Sequence, residues 1–231
     1  MAPTSARPWH TSVPVIVPPP GHTQRPSRLT VGKRRWRVDP VRIGRSARLG
    51  WVGMTGSSDT RLILLRGNSA SGKSSLARAI RAARPRGIAI LGQDQLRREI
   101  LHAQEKPGNP TVAYLDLSAR YALDIGLHVI VEGILYTRIY GAMLTQLLAD
   151  HRGVTRCYRY ELSFAETARR HTSKPQAAEY GPDTMLDWWL DADPLPGVAE
   201  CSLGPEVSLI DATNRVLSDC GWIAEPVHAA S

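Results

Sequence analysis

The sequence lacks the features that mark membrane proteins, disulfide-stabilised proteins and zinc proteins. No apolar run approaches the roughly 20 residues that a bilayer-spanning helix needs. The stretch Val13–Pro20 is too short and too rich in proline to be the core of a signal peptide. The three cysteines, Cys157, Cys201 and Cys220, are odd in number and include no CxxC pair, which argues against a disulfide framework or a zinc site. We expect a cytoplasmic protein without membrane association.

Acidic residues are scarce only at the beginning of the chain. Residues 1–53 hold ten Lys and Arg side chains and a single carboxylate, Asp39, so this segment carries a charge of +9. Residues 54–231 hold 19 basic and 20 acidic side chains, a net charge of −1. The whole-chain charge of +8 therefore comes from the first segment, and the rest has no overall charge signature of nucleic-acid binding.

The composition divides the chain into a tail and a folded domain. Residues 1–58 are rich in Pro, Arg, Gly and Ser without sustained periodicity, which predicts a disordered basic tail. The folded domain is expected at residues 59–225. Met54 precedes a short polar lead into a strong first strand, so we consider it a candidate initiator and residues 1–53 an over-extended gene model. Mass spectrometry of native extract tests this, because peptides from residues 1–53 would contradict it.

Strand and helix patterns alternate from residue 60 onwards. Short apolar runs predict buried strands at 62–65, 87–91, 127–131, 155–162 and 207–210. Amphipathic spacing predicts helices at 74–83, 111–126, about 139–148, from Ser163 with a capping box to Glu166, and from about Asn214. Such alternation predicts an α/β fold, a doubly wound parallel sheet with helices on both faces.

A phosphate-binding motif lies between the first predicted strand and the first predicted helix. The pattern G-x-x-x-x-G-K-[ST] is matched at every fixed position by Gly67, Asn68, Ser69, Ala70, Ser71, Gly72, Lys73 and Ser74, with Ser75 following in the helix. Glycines let the backbone wrap a phosphate, and the loop N–H groups and the helix N-terminus face it. Lys73 is expected to reach the β- and γ-phosphates of ATP, and the Ser74 hydroxyl to bind Mg²⁺. We predict a P-loop NTPase fold.

Two absences distinguish among the classes of P-loop protein. The chain has no Asn-Lys-x-Asp motif of the kind with which GTPases read the guanine base. Motors and remodelling ATPases usually end their Walker B strand with Asp-Glu, whereas the third predicted strand ends with one carboxylate, Glu132. These absences favour a nucleoside-kinase-like phosphotransferase.

Polar side chains follow the second and third predicted strands. The carboxyl ends of parallel strands meet at one edge of a sheet, where ligands bind. We expect Asp94 at that edge, where it accepts a proton from a substrate hydroxyl; its alternative role is to cap the following helix. Arg97, one turn later, is predicted to hold an anionic part of the substrate. Glu132 is predicted to contact the substrate or the Mg²⁺ shell, with a solvated carboxylate as the alternative.

The phosphate loop, the Asp94-x-x-Arg97 pair and the strand that ends at Glu132 resemble the zeta-toxin and chloramphenicol-phosphotransferase-like branch of the P-loop kinases. Adenylylsulfate, gluconate and shikimate kinases are more distant relatives. The resemblance covers roughly residues 60–225. It implies that ATP and Mg²⁺ are used and that Asp94 deprotonates an acceptor hydroxyl.

The resemblance also implies a basic helical lid after the fourth strand. The matching stretch is residues 167–175, and its cations Arg169, Arg170 and Lys174 are expected to clamp the transferred phosphoryl group. A solvated basic helix end is the alternative, and the sequence leaves open which arginine faces inward. We expect His171 on the lid surface.

The acceptor is not encoded in a motif that we can interpret. Trp188 and Trp189 are expected to stack on a substrate ring or to pack the lid, with at least one packing, because adjacent residues on a helix face different sides. We find no residues in this sequence that match the contacts a zeta toxin makes to its substrate, a UDP-amino sugar. Besides a small-molecule hydroxyl acceptor, a polynucleotide 5′-hydroxyl kinase and a non-catalytic ATP-binding regulatory protein stay open. The choice between ATP and GTP and the oligomeric state stay open as well.

Overall fold

The computed structural model describes residues 53–84, 86–172 and 181–223. The chain divides into residues 1–50 and residues 51–231, and everything described belongs to the second unit. Most of the predicted tail and its predicted disorder lie outside the described residues. Thr55, inside the predicted tail, is buried, and its Oγ1 lies 2.8 Å from Asp124 Oδ1. Ordered structure therefore begins before residue 59.

Four of the five apolar runs, together with a short segment at Cys201–Leu203, form one five-stranded sheet within the described part of the chain. Its strands are β1 (Arg61–Arg66), β2 (Ile88–Gly92), β3 (His128–Gly133), β4 (Val154–Tyr160) and β5 (Cys201–Leu203). The spatial order is β2-β3-β1-β4-β5, and every neighbouring pair is parallel. This confirms the predicted parallel α/β sheet of a P-loop NTPase fold. Because β1 lies at its centre, the loop after β1 emerges between the ends of β3 and β4.

Helices cover both faces of the sheet. They are α1 (Lys73–Ala83), α2 (Gln93–Gln95) with a π-helical turn at Leu96–Ile100, α3 (Pro110–Asp124), α4 (Thr137–Asp150), α5 (Phe164–His171), α6 (Pro182–Leu186) and α7 (Leu209–Asp219). Their starts follow local chemistry. Asn109 accepts the Thr111 N–H before α3, and Ser163 accepts the Glu166 N–H before α5. The predicted cap at Ser163 is confirmed.

The alternation of side chains along β1 builds two hydrophobic cores. Leu62 and Leu64 pack on one face with residues of α3 and α4, among them Leu115 and Leu144. Ile63 and Leu65 pack on the other face with residues of α1 and α7. All the β1 side chains after Arg61 are buried, as a central parallel strand requires.

The prediction of a last strand at residues 207–210 is wrong. The last strand is β5, which pairs with Tyr158–Tyr160, and α7 begins at Leu209 rather than near Asn214. Ser208 caps α7, because its Oγ accepts the Asp211 N–H. The run around Leu209 is apolar enough for a strand, but the cap and the partner strand decide the assignment.

A membrane-spanning helix would need more length and more apolar residues than any helix among residues 53–84, 86–172 and 181–223 possesses.

The buried side chain of His151 bridges the amino-terminal ends of β1 and β4. His151 Nε2 lies 2.9 Å from Thr60 Oγ1, and Nδ1 lies 2.8 Å from Thr155 Oγ1. The Thr60 hydroxyl already donates to Ser57 O, so the imidazole donates to Thr60 from Nε2 and accepts from Thr155 at Nδ1. Burial, helped by the Arg61 charge, lowers the pKa of His151 to about 4.

We expect the free energy of unfolding to fall as His151 becomes protonated. The folded pKa lies below the ordinary value of about 6.5, so the neutral ring stabilises the fold fully above pH 6.5 and progressively less down to pH 4. The expected loss over this pH range is about 3 kcal/mol. Urea unfolding at several pH values should show a weaker pH dependence in His151→Gln than in the wild type. His102→Gln removes an exposed histidine as a control; equal slopes in wild type and His151→Gln would contradict the assignment.

Candidate active site

The loop after β1 has a backbone that only certain residues adopt easily. Gly67 and Gly72 have φ angles of 138° and 114°, in the region that favours glycine. A Cβ at Gly67 would lie 2.9 Å from Tyr160 Cβ, so a larger residue does not fit. Ala70 has a φ of 60°, in the left-handed region, and continues the tight turn of the loop. The loop therefore folds back tightly before α1 begins.

Lys73 lies across this loop. Its Nζ donates to Asn68 O at 2.6 Å and to Ser71 Oγ at 3.2 Å, and the residue is 7% exposed. The first turn of α1 contains no acidic residue, so no side chain of the helix itself offsets the positive end of its dipole. A cation, a helix N-terminus and a curled backbone together suit a phosphate.

Ser74 and Glu132 meet beside the loop. Ser74 Oγ donates to Glu132 Oε1 at 3.0 Å, since α1 starts next to the end of β3. A hydroxyl and a carboxylate oxygen this close, next to a phosphate-binding loop, fit the oxygen ligands that Mg²⁺ takes. The residues present thus suit the ion that the motif implies.

Asp94 lies at the same edge of the sheet, in α2. Gly92, not Asp94, caps α2, so the alternative role of Asp94 as an N-cap is wrong. The Asp94 side chain is 61% exposed, and Arg97 Nη2 donates to its Oδ1 at 2.6 Å. Arg98 Nη1 lies 3.5 Å from the other carboxylate oxygen. Arg97 Nε also lies 3.0 Å from Glu105, so this side chain bridges two carboxylates.

The structure distinguishes the two arginines of the predicted lid. Arg170 Nη1 donates to Ser71 O at 3.1 Å, so this side chain reaches the phosphate loop from α5. Arg169 is 72% exposed and pairs with Glu166. Hydrogen bonds from both arginines lower the pKa of Glu166 to about 2. Lys174 lies outside the described residues.

His171 is buried rather than on the lid surface, with 2% exposure, so that prediction is wrong.

The phosphate loop, Asp94 and Glu132 open on one cavity of about 570 Å³, which Arg169 and Arg170 do not line. Its lining comprises Ser69 to Ser74 of the loop, Gln93, Asp94, Arg97, Arg98, Glu105, Glu132, Gly133, Ile134, Tyr136, Arg138 and Asp187 to Leu190. Of the residues predicted to bind nucleotide, Gly67, Asn68 and Ser75 do not line it. The phosphate loop and Asp94 therefore share one solvent-accessible space.

A family model described as an AAA domain matches residues 62–192, over half of the chain. The chain belongs to the AAA domain family. The matched segment runs from β1 through the phosphate loop, Asp94 and Glu132 to the residues that line the far side of the cavity. A comparison with curated proteins finds no match.

Two kinases of known structure resemble this AAA domain protein. The APS kinase of Mycobacterium tuberculosis, solved with AMPPNP and APS, is 18% identical, has a TM-score of 0.51, and the match covers 72% of this chain and 98% of that chain. A sugar kinase from Janibacter sp. HTCC2649 is 16% identical with a TM-score of 0.52, covering 71% and 96%. At these identities the likeness establishes the fold.

The AAA domain holds a buried arginine that the sequence patterns did not reveal. Arg66, at the end of β1, is 1% exposed and pairs with Asp193 at 3.0 Å and Glu200 at 2.8 Å. Its Nη2 also donates to Leu135 O and to Thr137 Oγ1. Both carboxylates lie beyond the matched segment, so these contacts attach the chain after the AAA domain to its central strand.

The segment after α6 is tied directly to the phosphate loop of the AAA domain. Asn68 Nδ2 donates to Leu190 O at 2.6 Å, and Leu190 N donates back to Asn68 Oδ1 at 3.2 Å. Trp188 and Trp189 both line the cavity, because α6 ends at Leu186 and the helical constraint assumed from the sequence does not apply. The Trp189 ring meets Phe164 edge-on with centroids 5.2 Å apart.

Proposed function

We propose that this protein is an ATP-dependent phosphotransferase that moves the γ-phosphoryl group of ATP to a hydroxyl of a small molecule. The observation that supports this most is the shared cavity, into which the phosphate loop with Lys73 and the exposed carboxylate of Asp94 both open. A phosphate donor and a hydroxyl acceptor bound in one such space meet the geometric requirement of direct transfer.

The phosphate loop would bind and orient ATP. Its N–H groups and Lys73 hold the β- and γ-phosphates, and Ser74 and Glu132 would hold Mg²⁺. Bound Mg²⁺ supplies positive charge that offsets the charge developing on the transferred group. Arg170, which reaches Ser71 O, would add a cation from the lid, and Lys174 stays a predicted second cation.

Asp94 would act as the base that accepts the proton of the acceptor hydroxyl. Arg97 holds one of its oxygens, which fixes the orientation of the carboxylate towards the cavity. The Asp94-x-x-Arg97 pair and Glu132 also support our assignment to the zeta-toxin and chloramphenicol-phosphotransferase-like branch. We place the reaction in the cytoplasm, with a metabolite, a nucleotide sugar or an antibiotic as the acceptor.

We expect the full-length chain to transfer label from γ-labelled ATP to a product in a metabolite extract with Mg²⁺. In Lys73→Ala the rate of labelling should fall about 10²-fold to 10³-fold, because one charge that stabilises the transferred phosphoryl group is lost. The measurement is the amount of labelled product over time, separated by chromatography and identified by mass spectrometry.

Two controls separate a chemical effect from a folding effect. Lys73→Ala should keep the circular dichroism spectrum of the wild type, and Arg215→Ala, which removes an exposed cation on α7, should keep the activity. If the wild type binds ATP but labels no acceptor, the non-catalytic regulatory function replaces the kinase. Labelling of oligonucleotide 5′ ends alone would favour the polynucleotide kinase.

A further inference from the structure

The arginines that line the cavity, Arg97, Arg98 and Arg138, differ in the hydrogen bonds and ion pairs that they make. Arg97 donates from Nη1 to Ala103 O and from Nη2 to Asp94 Oδ1, and its Nε lies within ion-pair distance of Glu105 Oε2, at 3.0 Å. Arg98 lies against the second oxygen of Asp94. Both arginines are thus engaged with the carboxylate proposed as the base.

The carboxylate that holds Arg97 is itself held by buried groups. Gln93 Nε2 donates to Glu105 Oε2 at 2.5 Å, and the Tyr140 hydroxyl donates to Oε1 at 3.0 Å. Gln93 is 3% exposed and Tyr140 is fully buried, so their positions are set by the core. Burial, together with the Glu105 charge, raises the pKa of Tyr140 to about 12 and keeps its hydroxyl a donor. Releasing Arg97 to a ligand would therefore disturb an anchored network.

Within the described residues, Arg138 makes no comparable contacts with carboxylates. It lines the same cavity and is exposed, and its guanidinium lies over the Tyr136 ring, 4.6 Å from the centroid. Within the described part of the chain, no carboxylate lies within ion-pair distance of it. Arg138 stands in the first turn of α4, where a cation opposes the helix dipole, so its position does not serve the stability of the helix.

We propose that Arg138 binds an anionic group of the acceptor, so that the substrate is a small molecule carrying both a hydroxyl and a carboxylate, sulfate or phosphate. This rests on the proposed function. It moves the anion contact that the sequence assigned to Arg97 onto Arg138, and it leaves Arg97 to position Asp94. A guanidinium that keeps its donors available matches the paired oxygens of such groups.

The test uses the full-length protein, saturating ATP and acceptors in matched pairs: D-glycerate with glycerol, D-gluconate with D-glucose, and adenosine 5′-phosphate with adenosine. Any acceptor recovered from the extract as labelled product joins the panel. We expect phosphorylation of anionic acceptors in preference to neutral ones. Arg138→Gln should raise the KM of the acceptor about tenfold to a hundredfold with little change in kcat. Arg138→Lys should restore part of the affinity.

Arg215→Gln, which also removes one exposed cation, should leave the KM unchanged. A neutral acceptor, or an unchanged KM in Arg138→Gln, overturns the inference while leaving the kinase intact. A cationic acceptor also overturns it and points to Asp187 on the cavity wall. If ATP binds and no acceptor is phosphorylated, the proposed function fails and this inference fails with it.

Discussion

Replacing Asp94 with Asn is expected to lower the turnover of the proposed phosphotransfer reaction about 10²-fold to 10⁴-fold, the range typical for loss of a general base. Asn has nearly the same shape and still accepts a hydrogen bond from Arg97, but it cannot take a proton. The Asp94 side chain is 61% exposed, so the substitution should leave the fold intact. The rate of product formation from labelled ATP measures the effect.

The ATP affinity provides the internal control for this variant. The phosphate loop does not depend on Asp94, so the KM for ATP should stay close to that of the wild type. Asp59→Asn removes an exposed carboxylate near the start of the fold and should keep full activity. Unchanged turnover in Asp94→Asn would rule out its role as the base.

Replacing Arg66 with Met should lower the free energy of unfolding by about 3–5 kcal/mol, as expected when one partner of a buried ion pair is removed. Arg66 is 1% exposed, and the side chain of Glu200 is 4% exposed, so Met would leave a carboxylate buried and poorly compensated. Arg159 lies 3.5 Å from Glu200 and compensates only in part. Urea unfolding monitored by circular dichroism measures the change.

A double-mutant cycle separates the lost ion pair from altered packing. Adding Glu200→Gln to Arg66→Met removes the buried charge and should recover part of the lost stability. Arg215→Met, an exposed position on α7, serves as the control and should change the stability little. A loss below about 1 kcal/mol in Arg66→Met would show that the network does not hold the segment around Glu200 in place.

The phosphate loop was predictable because its chemistry is local. The spacing of Gly67, Gly72 and Lys73 within the eight-residue motif already predicts a tightly turned backbone before a helix, and the structure has that backbone. The proximity of Asp94 and Glu132 followed from one general rule, that parallel strands expose their carboxyl ends at one edge. Gly92 and Glu132 are indeed register partners in β2 and β3.

The last strand shows where local pattern failed. Residues 207–210 are as apolar as a strand requires, yet the strand formed at Cys201–Leu203. A strand is stable only when a neighbour pairs with it, and β4 provides that pairing to β5. The same sequence near Leu209 starts a helix once Ser208 caps it. Whether a segment forms a strand or a helix therefore depends on an available partner strand as much as on its own residues.

The sequence by itself determined the fold class, the phosphate loop and the edge of the sheet that carries Asp94 and Glu132, because each depends on residues close in the chain or on the rules of parallel sheets. Only the tertiary structure decided which charges meet. It paired Arg66 with Glu200 across 134 positions and brought Arg170 to Ser71 of the phosphate loop. It also left Arg138 facing the cavity. Side-chain contacts between distant segments depend on how the elements pack, and no local pattern records that packing.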